Sequence, residues 1–569
     1  MRPWVVDDEP SRRYPIYTRG NVGEVFPTVV SPLTWSLYGR EAELGWRSAF
    51  CRWGAFGEQD FGDEQMTILG VFGGYCYLNL SIVRVFAVRA PGLTVEDMDH
   101  QIFGDSDAPA YRRAPGDRNR MASARVAGTL LRTLFAKSLP ELEQDRVDVA
   151  GWLRGLPDVP MASDTELIEV IRGFRPHFRR LFDHHIRTTF QATVGPGILQ
   201  KLCADKLGDR SLVGSLLGGI GSVESAEPSV ALWDLGRMVA SDPSLTALFD
   251  GGVDGLDGRL KAMPAFARRF AAFTRDHGSR GPNEWEGSSP TWQTCPELAL
   301  AAVDCLRHAD ASHDPSVQQA RLERKRHEAT ATARTRLKGP ARRQFDLALR
   351  SAQLFSQGRE RSKTTVIRAL HGVRLAQLEL ARRARDRGGP DAPADFWLIT
   401  NGELDDYMAG PKRFTDVIDE RRAARDRLQS LIPPFVFEGR PQPVEEWASR
   451  HDDAVPAAPI VGAELRGIPG CPGVARGRAR VVLDPSDPRG LGPGDVLVAP
   501  ITDPSWTPLF VPAEAVIVDV GAQMSHAVIV SRELGIPAVV SVTGASRIIP
   551  DGAMVEVDGT AGVVRLLQL

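Results

Sequence analysis

The chain has 569 residues, 43% of them hydrophobic and 25% charged, with a formal net charge of −3, the balance of a globular protein with several cores rather than a disordered or fibrous one. So small a charge over such a length gives no reason to expect nucleic acid or an anionic membrane surface as partner. Its 6 cysteines form no CxxC pair, which argues against a zinc cluster and a disulfide framework and fits reduced thiols of a cytoplasmic protein; a signal peptide's apolar core and a run of about 18 apolar residues for a membrane span are both missing.

Residues 14 to about 90 mix short β-rich runs with Gly and Pro punctuation: "YTRGNVGEVFPTVVSPLTWSL" from Tyr17, and "GVFGGYCYLNLSIVRVFAV" from Gly70 to Val88, whose β-branched and aromatic content predicts strands. From Thr94 the texture changes. "MASARVAGTLLRTLFAKSL" and "TELIEVIRGFRPHFRRLFDHHIRTTF" space apolar residues at three and four, predicting amphipathic helices. Residues 314–387 should hold the longest helices, broken at "KGP" (Lys338 to Pro340), with one more helix near Arg413 to Leu431. The glycines of "VGSLLGGIGSVES" follow no strand and precede no GK[ST], so a turn between helices is expected there rather than a nucleotide loop. Adjacent His184 and His185 lack the i, i+4 spacing of a metal pair and read as structural.

The Pro- and Ala-rich run from Arg440 to Ile460 has neither helical nor strand period and reads as an interdomain linker, spanning roughly 25 Å if flexible. After it, "GRARVVLD", "DVLVAP", "AVIVDV", "PAVVSV", "MVEVDG" and "GVVRLL" are short apolar strands between turns, with one strong helix among them. The fold class is therefore multidomain α+β: a largely helical body over residues 1–439 with a small β-rich part at 14–90, a linker at 440–460, and a compact C-terminal domain at 461–569.

The helix of that last domain should run from about Ser525 to Gly535, after a tight exit at Gly521 and Ala522, which puts His526 in its first turn. Free N–H groups and the positive helix end favour phosphate there, and a neutral imidazole is a competent nucleophile toward phosphorus. On position alone, such a histidine is more often a cap or a packed side chain than a nucleophile. The wider stretch "GAQMSHAVIVSRELGIPAVV" closely resembles the phosphohistidine signature of the swivelling domain in phosphoenolpyruvate-utilising enzymes: phosphoenolpyruvate synthase, pyruvate phosphate dikinase and rifampin phosphotransferase. The likeness extends through "GVARGRARVV", "GDVLVAPITDPSWTPLF" and "DGAMVEVDGTAGVVRLL". Met524 stands where dikinases usually have Thr, and "CPG" at Cys471 where many relatives have "SPG".

The body resembles the acceptor domain of rifampin phosphotransferase through "YTRGNVGEVFPTVVSPLTWSL", "GSRGPNEWEGSSPTW" (Gly278 to Trp292) and "RERSK" (Arg359 to Lys363), with Ser279 where relatives often have His. The resemblance implies a covalent phosphohistidine at His526, supported by Gly521 and Ser525. Arg359 and Lys363, four apart on one helical face, are alone an ordinary solvated pair; the resemblance puts them at the acceptor site, facing the charge of a transferring phosphoryl group. Arg280 follows as a phosphate clamp, and Glu284 as a base, a hydroxyl-positioning carboxylate or a structural acid paired to an arginine; Asn21 and Glu24 are candidates for the pocket wall. No metal site is expected on this chain. No ATP-grasp module is recognisable in it, so Mg-ATP is expected on a separate ATP-grasp partner protein that charges His526. The implied activity is phosphoryl transfer to a hydroxyl of a bulky small molecule. A phosphorylation-driven dehydratase and a non-enzymatic phospho-carrier or sensor remain the alternatives.

Overall fold

The computed structural model describes residues 3–103, 108–209, 212–220, 227–450, 461–485, 490–521 and 525–569. Three expectations reach beyond these: the glycine run of 213–225 in its second half, the linker of 440–460 in its second half, and Ala522 with Met524 before His526.

Four strands form the N-terminal sheet: β1 (Ile16–Thr18), β2 (Leu69–Phe72), β3 (Tyr75–Asn79) and β4 (Val436–Glu438). They run antiparallel in the order β2-β3-β1-β4, with the rings of Tyr17, Phe72, Tyr77 and Phe437 packed on one another. The β-rich reading of 14–90 needs correction in two places. Between β1 and β2 the chain is a 22-residue helix, Pro32–Trp53; the Ser31 hydroxyl accepts from Thr34 N–H at its start, Pro32 fills its first turn, and Gly54 ends it at φ 84°. The second half of "GVFGGYCYLNLSIVRVFAV" is also helical, Leu80–Arg89, because the Asn79 side chain caps Ile82 N–H at 3.1 Å and closes the strand.

Helix Pro32–Trp53 crosses helix Arg175–Gln191 at Gly45, where a Cβ would lie 3.1 Å from Arg179 O and 3.2 Å from Asp183 N. Both pack in one large core with the 48-residue helix Gly339–Asp386, which begins within the predicted break and follows helix Pro315–Arg336. At about 1.5 Å per residue that helix is roughly 70 Å long, and its buried stripe (Phe345, Leu349, Phe355, Val366, Leu370, Leu380) is the spine of the body.

The first part of the expected linker is part of the body's packing. Residues 440–450 are held on the body: Trp447 is buried against Tyr75 and Gly73, Ile432 N–H donates to Ala448 O at 2.8 Å, and Arg450 N–H donates to Ser430 O at 2.7 Å. Residues 451–460 lie outside the described residues.

The C-terminal domain contains β5 (Glu464–Arg466), β6 (Ile468–Cys471), β7 (Val474–Val481), β8 (Asp495–Ala499), β9 (Ala515–Val518), β10 (Ala538–Val540), β11 (Met554–Asp558) and β12 (Val563–Gln568) in one sheet, order β5-β12-β11-β7-β8-β9-β10-β6. The pairs β7/β8, β8/β9 and β9/β10 are parallel. These strands read as unbroken apolar runs because both faces are covered. Val496, Val498 and Ile517 join one core with Val539 and Val555. Their alternate neighbours Leu497, Ala499, Val516 and Val518 pack with Val528 of helix His526–Leu534, with Leu509 and Phe510, and with helices Glu227–Ser241 and Pro296–Arg307 of the body. The domain is thus seated on the body through a shared hydrophobic core.

Candidate active site

Helix His526–Leu534 starts after Ser525, an extended residue at φ −68°, ψ 162°, and stops at Gly535 in the left-handed region at φ 69°. Gly521 is required by close approach, since a Cβ there would sit 2.8 Å from that of Val540. Ser525 stands at the cap position, yet its hydroxyl accepts no N–H of the helix and is buried with no partner among the described residues. An uncommitted buried hydroxyl at a helix N-terminus is costly unless a ligand claims it.

The His526 ring is fixed on three sides. Its Nε2 is 3.0 Å from Thr507 Oγ1, its Nδ1 3.4 Å from Thr502 Oγ1, and its face meets the ring of Phe510 edge-on at 5.9 Å. Burial, reinforced by the charges of Lys363, Arg280 and Arg359, holds the imidazole well below its ordinary pKa of 6.5, so it is neutral at pH 7. Neither threonine stood among the sequence candidates. Both lie in "ITDPSWTPLF", where the signal available was two hydroxyls five residues apart in a Pro-punctuated turn leading toward the histidine helix.

Opposite stand the cations of the long helix. Lys363 Nζ lies 2.9 Å from Glu284 Oε1, and Arg359 approaches Glu360 at 3.5 Å. Arg280 reaches Glu284 from the other side, with Nη1 3.1 Å from both carboxylate oxygens and Nη2 donating to Thr364 Oγ1 at 2.7 Å. Burial favours neutral Glu284, but the charges of Arg280 and Lys363 outweigh it and hold the carboxyl below its usual range. Glu284 is therefore an ionised anchor that aims Lys363, a poor proton acceptor, and the base role loses to the paired-acid reading. Arg280 is buried, donates to Glu284 and Thr364, and so braces the cation cluster from the side away from Lys363. The loop carrying both is itself pinned: Arg374 donates to Glu284 O at 2.9 Å and to Glu286 O at 3.0 Å.

Between these two sides lies a cavity of about 1050 Å³ walled by Trp35, Tyr38, Trp46, Phe178, Phe182 and Trp285. Asn21, Glu24, Glu284, Arg359, Lys363 and His526, scattered over the sequence, all open on it. Asn21 and Asn283 do so from left-handed backbone, φ 73° and φ 48°, which asparagine tolerates better than most residues. The seam between body and C-terminal domain closes at this cavity, where Asn283 N–H donates to Asp503 Oδ2 at 2.9 Å. The two neighbouring histidines divide. His184 Nδ1 is 2.5 Å from the buried Asp145 carboxylate, a structural pair, whereas His185 opens on the cavity. Among the described residues no three His, Cys, Asp or Glu side chains gather as a metal set.

The chain matches two known families in separate stretches. Residues 184–360 match the "Rifampicin phosphotransferase fourth domain" and residues 491–562 the "PEP-utilising enzyme, mobile domain". An uncharacterised protein of Mycobacterium tuberculosis is 32% identical over 336 residues, 58% of this chain and 36% of its own length. The rifampicin phosphotransferase of Streptomyces sviceus is 30% identical over 443 residues, 75% of this chain and 49% of its own. That of Bacillus subtilis is 27% identical over 524 residues, 84% of this chain and 58% of its own. The matched region thus spans between 36% and 58% of the length of these relatives.

Proposed function

The chain belongs to the rifampicin phosphotransferase-like family of phosphoenolpyruvate-utilising enzymes, and from that premise we propose that it is a phosphotransferase carrying a phosphoryl group on His526 and passing it to a hydroxyl of a bulky, largely apolar small molecule. One observation carries the reading: His526 and the Arg359/Lys363 pair, from different domains, open on the same aromatic cavity. Neutral imidazole attacks phosphorus in the charging step. The Ser525 hydroxyl, which has no partner among the described residues, and the N–H groups of the first helical turn then have an anion to bind.

In the transfer step the acceptor oxygen forms a bond to phosphorus as the P–N bond to His526 breaks, its electron pair returning to the ring. Negative charge spread over the equatorial oxygens faces Arg359 and Lys363, the latter aimed by Glu284. Thr502 and Thr507 keep the ring oriented through both events. The aromatic wall supplies area for an apolar acceptor and excludes water, which would otherwise compete for the phosphoryl group.

The donor proposed is Mg-ATP held by a separate ATP-grasp protein. In support, a wide, aromatic-walled cavity suits a single phosphoryl group and an apolar acceptor better than a triphosphate. The test is to incubate this chain with such a protein, Mg-ATP and rifampicin as acceptor probe, and to weigh the product. A gain of one phosphoryl group supports the reading, loss of water would turn it toward elimination, and stable charging by ATP with no partner would remove the two-protein arrangement.

A further inference from the structure

His185 projects from helix Arg175–Gln191 to the cavity wall beside Trp285, ring centroids 5.9 Å apart. Its Nδ1 is 3.0 Å from Ser362 Oγ. Ser362 has one hydroxyl hydrogen, and that hydrogen is spent on Arg359 O at 2.8 Å in the back-bonding geometry usual for serine inside a helix. Toward His185 the serine oxygen must therefore accept, which puts the ring proton on Nδ1 and leaves a bare lone pair on Nε2. Ser362 lies between Arg359 and Lys363 on the same helical face, so the tether fixes this lone pair next to the two cations. Burial first, and then the charges of Arg359 and Lys363, lower its pKa to about 3, so the ring is neutral at pH 7. The transfer step described above uses no group to receive the acceptor's proton, and Glu284 is disqualified by its ion pairs.

We propose that His185 is a catalytic residue of the transfer step, its Nε2 accepting a hydrogen bond from the acceptor hydroxyl and taking the proton as the O–P bond forms. This rests on the phosphohistidine reading of His526. The atoms balance: O–P forms, P–N breaks, the electron pair returns to His526, and the proton passes from the hydroxyl to His185 Nε2 and onward to the newly freed His526 ring or to solvent. A weak base suits this sequence. In a loose transition state the nucleophile's proton leaves late, and a base that holds it briefly is ready for the next turnover. The anionic phosphoryl group also offsets the two cations, raising the basicity of His185 when it is needed.

Two measurements test this on the full chain. The first is ¹⁵N NMR of imidazole-labelled protein, with His185→Gln assigning the resonance: a bare Nε2 and protonated Nδ1 at pH 7 are expected, and a proton on Nε2 would overturn the proposal whatever His526 does. The second is a single-turnover chase of phospho-His526 with rifampicin. His185→Ala should slow transfer by roughly 10²- to 10⁴-fold with little change in KM. His185→Gln, whose amide oxygen reaches the Nε2 position, should restore part of the rate, and His185→Asn, which offers an acceptor only near Nδ1, should not. Equal rates for wild type and His185→Ala would overturn it. Charging of His526 should be the same in every variant; failure of wild type to charge at all refutes the phosphohistidine reading itself and this proposal with it. If rifampicin draws no label from wild type, the tautomer decides alone.

Discussion

Replacing Lys363 with methionine keeps the length of the side chain and removes its charge, so it isolates what that charge contributes. Lys363 Nζ is 2.9 Å from Glu284, and its charge is the first after burial in lowering the pKa of His526. A unit charge about 4 Å from a phosphoryl oxygen is worth roughly 4 kcal/mol at an effective dielectric constant near 20, and deleting one such donor from a preorganised site costs about 2.7–4 kcal/mol, or 10²- to 10³-fold in kcat. The fold should lose less than the roughly 3–5 kcal/mol of an orphaned buried charge, because Glu284 keeps both contacts with Arg280. The assay is single-turnover transfer from phospho-loaded protein, with the extent of loading as control and Lys363→Arg as the charge-retaining comparison. Transfer by Lys363→Met within about twofold of wild type would refute the role given to the cation pair.

Thr507→Val should leave the fold intact but loosen the His526 ring, lowering the charging rate roughly tenfold or more while Thr507→Ser retains most of it; a quench-flow measurement of His526 labelling checks this. His371 is buried, its Nε2 on Gln293 and its Nδ1 without a partner among the described residues, with its pKa lowered to about 3 by burial and Arg374. The unfolded chain binds the proton first as pH falls below about 6.5, so this residue should cost about 2 kcal/mol of stability between pH 6.5 and 5, and urea titrations of His371→Gln should give a correspondingly flatter pH profile. Gly195→Ala would bring a Cβ to 2.5 Å from Ala352 N and 2.6 Å from Ala348 O on the long helix, and such overpacking should lower stability by about 1–3 kcal/mol in the same titration. Limited proteolysis should spare residues 440–450, which Trp447 and Arg450 fasten to the body; first cleavage before Trp447 would contradict that fastening.

The parts of the fold legible in the sequence were those where one periodicity acts alone. Strands β8 and β9 are covered on both faces and read as plain apolar runs; the helix from His526 announces itself by the glycines at either end. Helix Pro32–Trp53 escaped because it is buried nearly all round and carries acids inside the core. Glu43 is fully buried, its carboxylate accepting from Thr67, Ile68 and Leu69 N–H and from Arg47, so polar letters occupy core positions and blur the helical stripe. The fastening of 440–450 escaped for a different reason. It depends on Trp447 meeting Tyr75 and Gly73, partners remote in sequence that no local pattern predicts. In the site, the family resemblance marked His526, Arg359 and Lys363, where residue types alone left a cap and a solvated pair, but the pairing that turns Glu284 into an anchor, and the serine tether that sets His185 apart from His184, exist only once three segments meet.

The most direct test of the central claim is to phosphorylate the chain with an ATP-grasp partner and labelled Mg-ATP and to map the modified residue by mass spectrometry under conditions that preserve the P–N bond. The expected result is one acid-labile phosphoryl group on His526, absent in His526→Ala and lost from the protein when an acceptor is added. A label that persists in His526→Ala, or that sits on any other residue, would contradict it.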